Sequence, residues 1–481
     1  MTTNNQIANR KSINYEAVNF RCGIEIHQQL EGKKLFCPCP TIIRKDEPHF
    51  TIVRRLRASA GESGAVDAAA SFEQAKQKTF LYQGYQDTTC LVELDEEPIH
   101  PINREVLITA LQVAKLLSCT IIPSLQVMRK VVVDGSNVSG FQRTILVGVN
   151  GTLNVDGATI TIPTVCLEEE ACQVVERTKE QDTYNLSRLG IPLIEIATGP
   201  DITSPEQCQI VAAKLGMILR STGACKRGIG SIRQDINVST KNHPRVEIKG
   251  FQDLRSIPAI LAFEIQRQQD AVAKKENLAS HVRKAEPDMT TSYLRPMPGA
   301  DRMYPETDHP PIEVNHDDVL IPRLLDDIAE ELKTKYGIPP DLVKDIINKN
   351  LPFEEYVKTY NAVDPKLIAA IIVKNPKELR RKLGLEYNVH RHAPALLSRL
   401  QSRTITPSSV MEIQERQARG EAIHWSLYEP ISEAAIEGTV KRVMQENPNA
   451  PIGALMGIIM KELRGKADGK TVMELLKKHK T

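Results

Sequence analysis

Aromatic residues make up only 4% of this 481-residue chain, with a single tryptophan. That scarcity argues against a surface built on base-stacking platforms. No run approaches the roughly 20 apolar residues needed to cross a bilayer. The opening MTTNNQIANRKSINYEAVNF lacks the apolar centre and small-residue cleavage site of a secretory leader. Net charge is nearly absent too: 62 Lys and Arg against 60 Asp and Glu leave +2. The average composition therefore does not announce a nucleic-acid binder, although charge can be unevenly distributed. Nine scattered cysteines, an odd number, suit reduced thiols better than a disulfide framework. Together these absences predict a cytoplasmic protein with no membrane association. The sequence also contains no G-x-x-x-x-G-K-[ST], G-x-G-x-x-G, H-E-x-x-H or C-x-x-C. A nucleotide, if bound, is held outside the commonest motifs.

What is present is length and pattern. The chain is long enough for about three domains. Up to about residue 310, alternating runs such as GIEIHQQL (23–30), TLNVDGATITIP (152–163), SIRQDINVS (231–239) and RVEIKGF (245–251) are punctuated by Gly, Pro and Asn. Helical stretches lie between them. In 205–222, Ile210, Leu215, Ile218 and Leu219 can share one face. This mixture predicts a large α+β domain over 14–310. A helical domain over 311–408 follows, closed by the linker-like SRTITPSS, and then a helical tail over 409–481. From Val440 onward nine Lys and Arg face four Asp and Glu, a net +5. Such a module suits an anionic partner, or is simply a solvated helix face.

Acids inside strands carry the chemistry. The two-residue side-chain period puts Glu25 and His27 opposite Ile24 and Ile26. It likewise sets Arg233 and Asp235 opposite Ile232 and Ile236, and Glu247 and Lys249 opposite Val246 and Ile248. Glu195 sits between two isoleucines, and CLEEEA supplies Glu168, Glu169 and Glu170. A sheet with one wet face explains each strand alone. Convergence of these acids would instead demand a cation, because two carboxylates about 4 Å apart repel by about 4 kcal/mol at an effective dielectric near 20. A hard divalent ion answers that demand, and Arg233 and Lys249 could grip phosphate oxygens beside it. Cys37 and Cys39 in LFCPCP look like half of a zinc knuckle with Cys90 as a third thiolate, or are ordinary thiols.

The same segments, with GSNVSGFQRT (135–144), SRLGIPLIEIATGPDITSP (187–205) and GALMGIIMKELRGKADGK in order, resemble the GatB/GatE family. Those proteins are the kinase-like, tRNA-binding subunits of tRNA-dependent amidotransferases. DTTCLVELDEEP and LRPMPGADRMYPETD look like its archaeal E-type branch. The resemblance implies a cradle-shaped catalytic domain, a helical domain and a YqeY-like tail. It also implies ATP- and Mg²⁺-dependent conversion of Glu-tRNA(Gln) to Gln-tRNA(Gln), with ammonia from an asparaginase-like D-type partner. Matched by motif, metal ligation falls on Glu25, His27, Glu168, Glu169, Glu195, Asp235 and Glu247. Catalytic roles fall on Glu25, His27, Glu169, Glu195, Arg233 and Lys249, and tRNA contacts on Lys461, Arg464, Lys466 and Lys470. An aspartyl-tRNA-synthetase-like insert, usual in the E-type before the run that here reads HVRKAEPDMTT, is missing. The competing readings are a B-type protein with an amidase partner and an inactive tRNA-binding protein.

Overall fold

The structure is a computed structural model. It describes residues 13–479 apart from 61–63, 67, 252, 277, 298–302, 316, 318 and 464–465. The chain divides into two compact units, Met1–Leu324 and Leu325–Thr481.

The first unit is built on an eleven-stranded mixed sheet. Ten of its strands are β1 (Arg21–Gln29), β2 (Val127–Val131), β3 (Phe141–Val155), β4 (Ala158–Glu169), β5 (Pro192–Ala197), β6 (Ile232–Ser239), β7 (Val246–Phe251), β8 (His281–Ala285), β9 (Thr291–Pro296) and β10 (Met303–Pro305). In space they run β9-β8-β7-β6-β1-β5-β4-β3-β2-β10. Neighbours are antiparallel except β7 and β8. β1 lies between β5 and β6, so residues distant in sequence become its lateral neighbours. The β3–β4 hairpin turns at Asp156 and Gly157, both at positive φ (48° and 82°). That is the backbone a tight two-residue turn requires, and Asp-Gly supplies it cheaply.

Alternation on β1 decides which face is which. Ile24 and Ile26 are fully buried, whereas Glu25 and His27 keep partial exposure on the other side. Helix α1 (Arg104–Leu116) packs on the β3–β4 hairpin, and helix α2 (Pro205–Ser221) packs on β1 and on helix α3 (Ile257–Ala273). Ser204 caps α2 by accepting from the Gln207 N–H, with Pro205 in the first turn. Its buried face uses Cys208, Val211, Leu215, Ile218 and Leu219. Ile210, expected on that face, is 44% exposed, because Val211 occupies the core-facing side of that turn. A separate four-stranded sheet (Phe50–Arg54, Thr79–Gly84, Gln181–Asn185, Gln173–Arg177) stacks Tyr82 on Tyr184. Their hydroxyls donate to the carbonyls of Gly135 and Asp134, pinning the loop that follows β2.

The second unit is helical with two apolar clusters. One runs from Leu332 to Tyr428, the other from Ile436 to Leu476. Residues 402–409, a linker by composition, lie inside the first: Ile405 and Ser409 are buried, and Pro407–Ser409 turn into the helix Val410–Ala418. The second cluster joins three helices, Glu433–Glu446, Ile452–Glu462 and Gly469–His479, through Val440, Leu455, Ile459, Val472 and Leu476. Among the described residues no helix is long and apolar enough to cross a membrane.

Candidate active site

The register of β1 builds the site. On one side His27 faces Glu195 of β5, and on the other Glu25 faces Asp235 of β6. The next strands out contribute Glu168, opposite Leu193, and Glu247, opposite Asn237. Because paired residues share a face, five strands aim these side chains into one pocket of about 420 Å³. Glu25, His27, Glu168, Glu195, Arg233, Asp235, Glu247 and Lys249 all line it.

The acids form two tight groups. His27, Glu168 and Glu195 place one ligand atom each within 4.8 Å of one another, and so do Glu25, Asp235 and Glu247. In the first group the His27 ring nitrogen lies 3.1 Å from Glu195 Oε2. Lys130 donates to Glu168 at 2.7 Å, and the Gln142 amide donates to the same carboxylate at 3.2 Å. In the second, the Asn237 amide donates to Glu25 at 3.0 Å. Lys249 donates to Asp235 at 2.7 Å and also pairs with Glu247.

Electrostatics follow from this crowding. Burial raises the Glu25 pKa, and the charges of Glu195 and Glu247 push it further. For His27, burial opposes protonation, but the Glu195 hydrogen bond and the surrounding carboxylates outweigh it and raise the pKa. Glu195 is the reciprocal case: burial alone would raise its pKa, yet His27 holds it down to about 2. Burial likewise disfavours charged Lys249, and Asp235 with Glu247 reverse the effect, so its pKa lies above the ordinary lysine value. Two histidine-and-carboxylate or all-carboxylate groups of this kind are hard-ligand sets suited to a divalent cation.

One expected member is elsewhere. Glu169 does not reach the pocket, because alternation along β4 sends it to the opposite face from Glu168. There the Arg143 guanidinium lies 3.3 Å from it, and Arg143 also donates to Glu306 at 2.7 Å. Glu170 belongs to the pocket instead. Arg233 binds it in a two-pronged pair at 2.8 and 2.9 Å, Gln29 adds a third bond, and its pKa falls to about 2 despite burial. The period-two rule applied to Glu168 already favoured Glu170 over Glu169. Asn237 lies in the pocket on the polar face that alternation along SIRQDINVS gives it, and Lys130 and Gln142 are further pocket residues that the strand pattern did not rank.

A second constellation joins Cys37, Cys39 and Cys90 with a residue the sequence did not single out, Glu93, all within 4.8 Å. Cys37 Sγ donates to Glu93 at 2.8 Å, and buried Lys34 lies 3.2 Å from the same carboxylate. Hydrogen bonds from Cys37 and Cys90 push the Cys39 thiol pKa down to about 4. In the tail, Lys461, Lys466 and Lys470 are exposed; Arg464 lies outside the described residues.

Comparison with known proteins gives the family in which this pocket sits. The profile of the GatB/GatE catalytic domain matches residues 20–320, well over half the chain. The chain belongs to the GatB/GatE family. A second profile, described as the GatB domain, matches residues 351–479. Among relatives, the E subunit of the glutamyl-tRNA(Gln) amidotransferase of Archaeoglobus fulgidus is 35% identical, covering 97% of this chain and 98% of its own length. That of Methanocaldococcus jannaschii is 33% identical, covering 97% and 99%. The alignment with the Archaeoglobus protein runs over 610 positions, 129 more than this chain has residues. This member of the GatB/GatE family therefore lacks at least that many interior positions of its E-type relative.

Proposed function

We propose that the chain is the kinase-like subunit of a tRNA-dependent amidotransferase. In this reading ATP phosphorylates the side-chain carboxylate of Glu esterified to tRNA(Gln), and ammonia displaces phosphate to leave Gln-tRNA(Gln). The observation that carries it is the meeting of Glu25, His27, Glu168, Glu195, Asp235 and Glu247 in one pocket of the family's catalytic domain. The names of the relatives supply the substrate.

Both substrates bring negative charge to a pocket already rich in carboxylates, so the acids must bind cations before either can enter. The two ligand groups fit Mg²⁺, which would neutralise phosphate oxygens and orient the acceptor carboxylate. This chain's own residues set the scene for that ion. Asn237, Lys130 and Gln142 hold Glu25 and Glu168 in place. Glu170, itself held by a hydrogen bond from Gln29, fixes Arg233 at the wall. Lys249, its pKa raised by its acidic neighbours, bridges Asp235 and Glu247 and turns to developing charge only once a cation takes over those carboxylates.

Ammonia comes, in this proposal, from an asparaginase-like D-type partner, and the basic tail with Lys461, Lys466 and Lys470 grips tRNA. The Cys37, Cys39, Cys90 and Glu93 set has the donor chemistry of a tetrahedral structural zinc site. The cytoplasm is the compartment where charged tRNA and reduced thiols coexist. The test is ATP-dependent amidation of Glu-tRNA(Gln), with ammonium salt in place of the partner. Wild type should release ADP and form Gln-tRNA(Gln), while Glu25→Ala and His27→Ala abolish both with tRNA binding near normal. Full turnover by these variants would dismiss the pocket as the catalyst.

A further inference from the structure

The cations expected to hold phosphate are already engaged. Arg233 is bound at both prongs to Glu170, and Lys249 bridges Asp235 and Glu247. Lys130 is likewise committed to Glu168. Two other cations line the same pocket: Arg245, exposed, and Arg295, partly exposed. Among the described residues neither guanidinium makes a hydrogen bond or ion pair.

Their placement is set by the sheet. Arg245 precedes Glu247 by two residues, on the same face and roughly 7 Å along the strand. Arg295 pairs with Val282, which pairs in turn with Glu247. The two arginines therefore flank Glu247, at the edge of the carboxylate group that also holds Glu25 and Asp235. An unpaired guanidinium in an acid-rich pocket is an open fork for oxyanions, and phosphate matches it with two parallel hydrogen bonds.

We infer that Arg245 and Arg295 clamp the triphosphate tail of ATP, leaving its terminal phosphate among the carboxylates. This rests on the kinase reading above and adds the residues that bind the nucleotide. A triphosphate fits better than the sugar–phosphate backbone of tRNA. Its consecutive phosphates can occupy both forks and still reach Glu247, whereas successive backbone phosphates are each separated by a sugar.

The test is calorimetric binding of a non-hydrolysable ATP analogue with Mg²⁺ to the full chain, for wild type, Arg245→Gln, Arg295→Gln and the double variant. Each single change should weaken binding about tenfold and the double about a hundredfold, as for loss of charge-assisted bonds. Arg→Lys variants should fall between, because charge stays but the fork is lost. Among the described residues neither side chain has a partner, so melting temperatures should match wild type, and tRNA affinity should stay within about twofold, each fold-change being read as a binding free energy. Analogue binding within twofold of wild type in the double variant overturns the clamp alone. Weakened tRNA binding with unchanged analogue binding also overturns it and gives the arginines to tRNA. A wild-type chain that binds no analogue sinks the kinase reading, and the clamp with it.

Discussion

Glu168 and Glu169 are adjacent, chemically identical and both buried, yet they belong to different parts of the protein. Glu168 enters a pocket where carboxylates outnumber their partners and cluster within 4.8 Å. Glu169 joins a network in which Arg129 and Arg143 balance the buried acids Glu169 and Glu306, with exposed Asp308 on Arg129 at its rim. Balanced charge on one face is structural cement, whereas unbalanced charge on the other is a demand for a ligand. That contrast separates the functional site from the scaffold more sharply than residue type or burial does.

The largest expected effect tests the unbalanced face. Glu195→Gln and Asp235→Asn should each lower amidation by about a thousandfold or more, consistent with loss of electrostatic and metal-positioning groups. Retention of more than a tenth of the activity by both would erase the contrast.

The balanced face should respond in stability. Glu306→Ala takes from Arg129 its buried carboxylate and from Arg143 one of two, and should cost about 3–5 kcal/mol, read by denaturant unfolding. The pH dependence carries the same signature. Burial favours neutral Glu306, but hydrogen bonds from Arg129 and Arg143 hold its pKa down to about 2. A depressed carboxylate contributes stability that is complete above its unfolded pKa, near 4.3, and that contribution drains away as pH falls through about 2. Glu306→Gln should flatten that part of the acid-unfolding curve. An unchanged curve would remove Glu306 from the network.

At Glu25 in the pocket the sign reverses. Glu25 has a raised pKa, so its ionised form is penalised by folding and the penalty grows as pH rises through that pKa. Without added metal at neutral pH, Glu25→Gln should therefore raise the melting temperature slightly while abolishing amidation. A fall in melting temperature would mean that the crowded acids are not strained. The smallest effect belongs to the tail. Reversing Lys461, Lys466 and Lys470 together should weaken tRNA binding several-fold and reduce its salt dependence by about one unit of slope per lost phosphate contact. A salt slope equal to that of wild type would leave these lysines as a solvated face.

Much of this was legible in the residues. Alternation in GIEIHQQL, SIRQDINVS and RVEIKGF selected Glu25, His27, Asp235 and Glu247, because a strand cannot place neighbours on one face. The motif match placed Glu169 among the ligands, whereas the fold sends it to Arg143. The apolar stripe of the tail was readable at helical spacing and is buried as expected at Leu455, Ile459, Val472 and Leu476. The stripe on α2 was readable too, but its outer limit at Ile210 was set by packing on β1 and α3.

What the amino-acid order determined by itself is the face on which each side chain lies, since that is a local property of backbone geometry. It also determined the family, through long motifs kept in sequence. Which strands become neighbours is a long-range matter: β1 sits between β5 and β6, some 170 and 210 residues later. Only that pairing set Glu195 beside His27 and Asp235 beside Glu25; loop packing brought Glu93 and Cys90 to Cys37 and Cys39, and among the described pocket residues Arg245 and Arg295 were left without ion-pair partners. Partnership between charges depends on distance in space, and the sheet's register decides that distance.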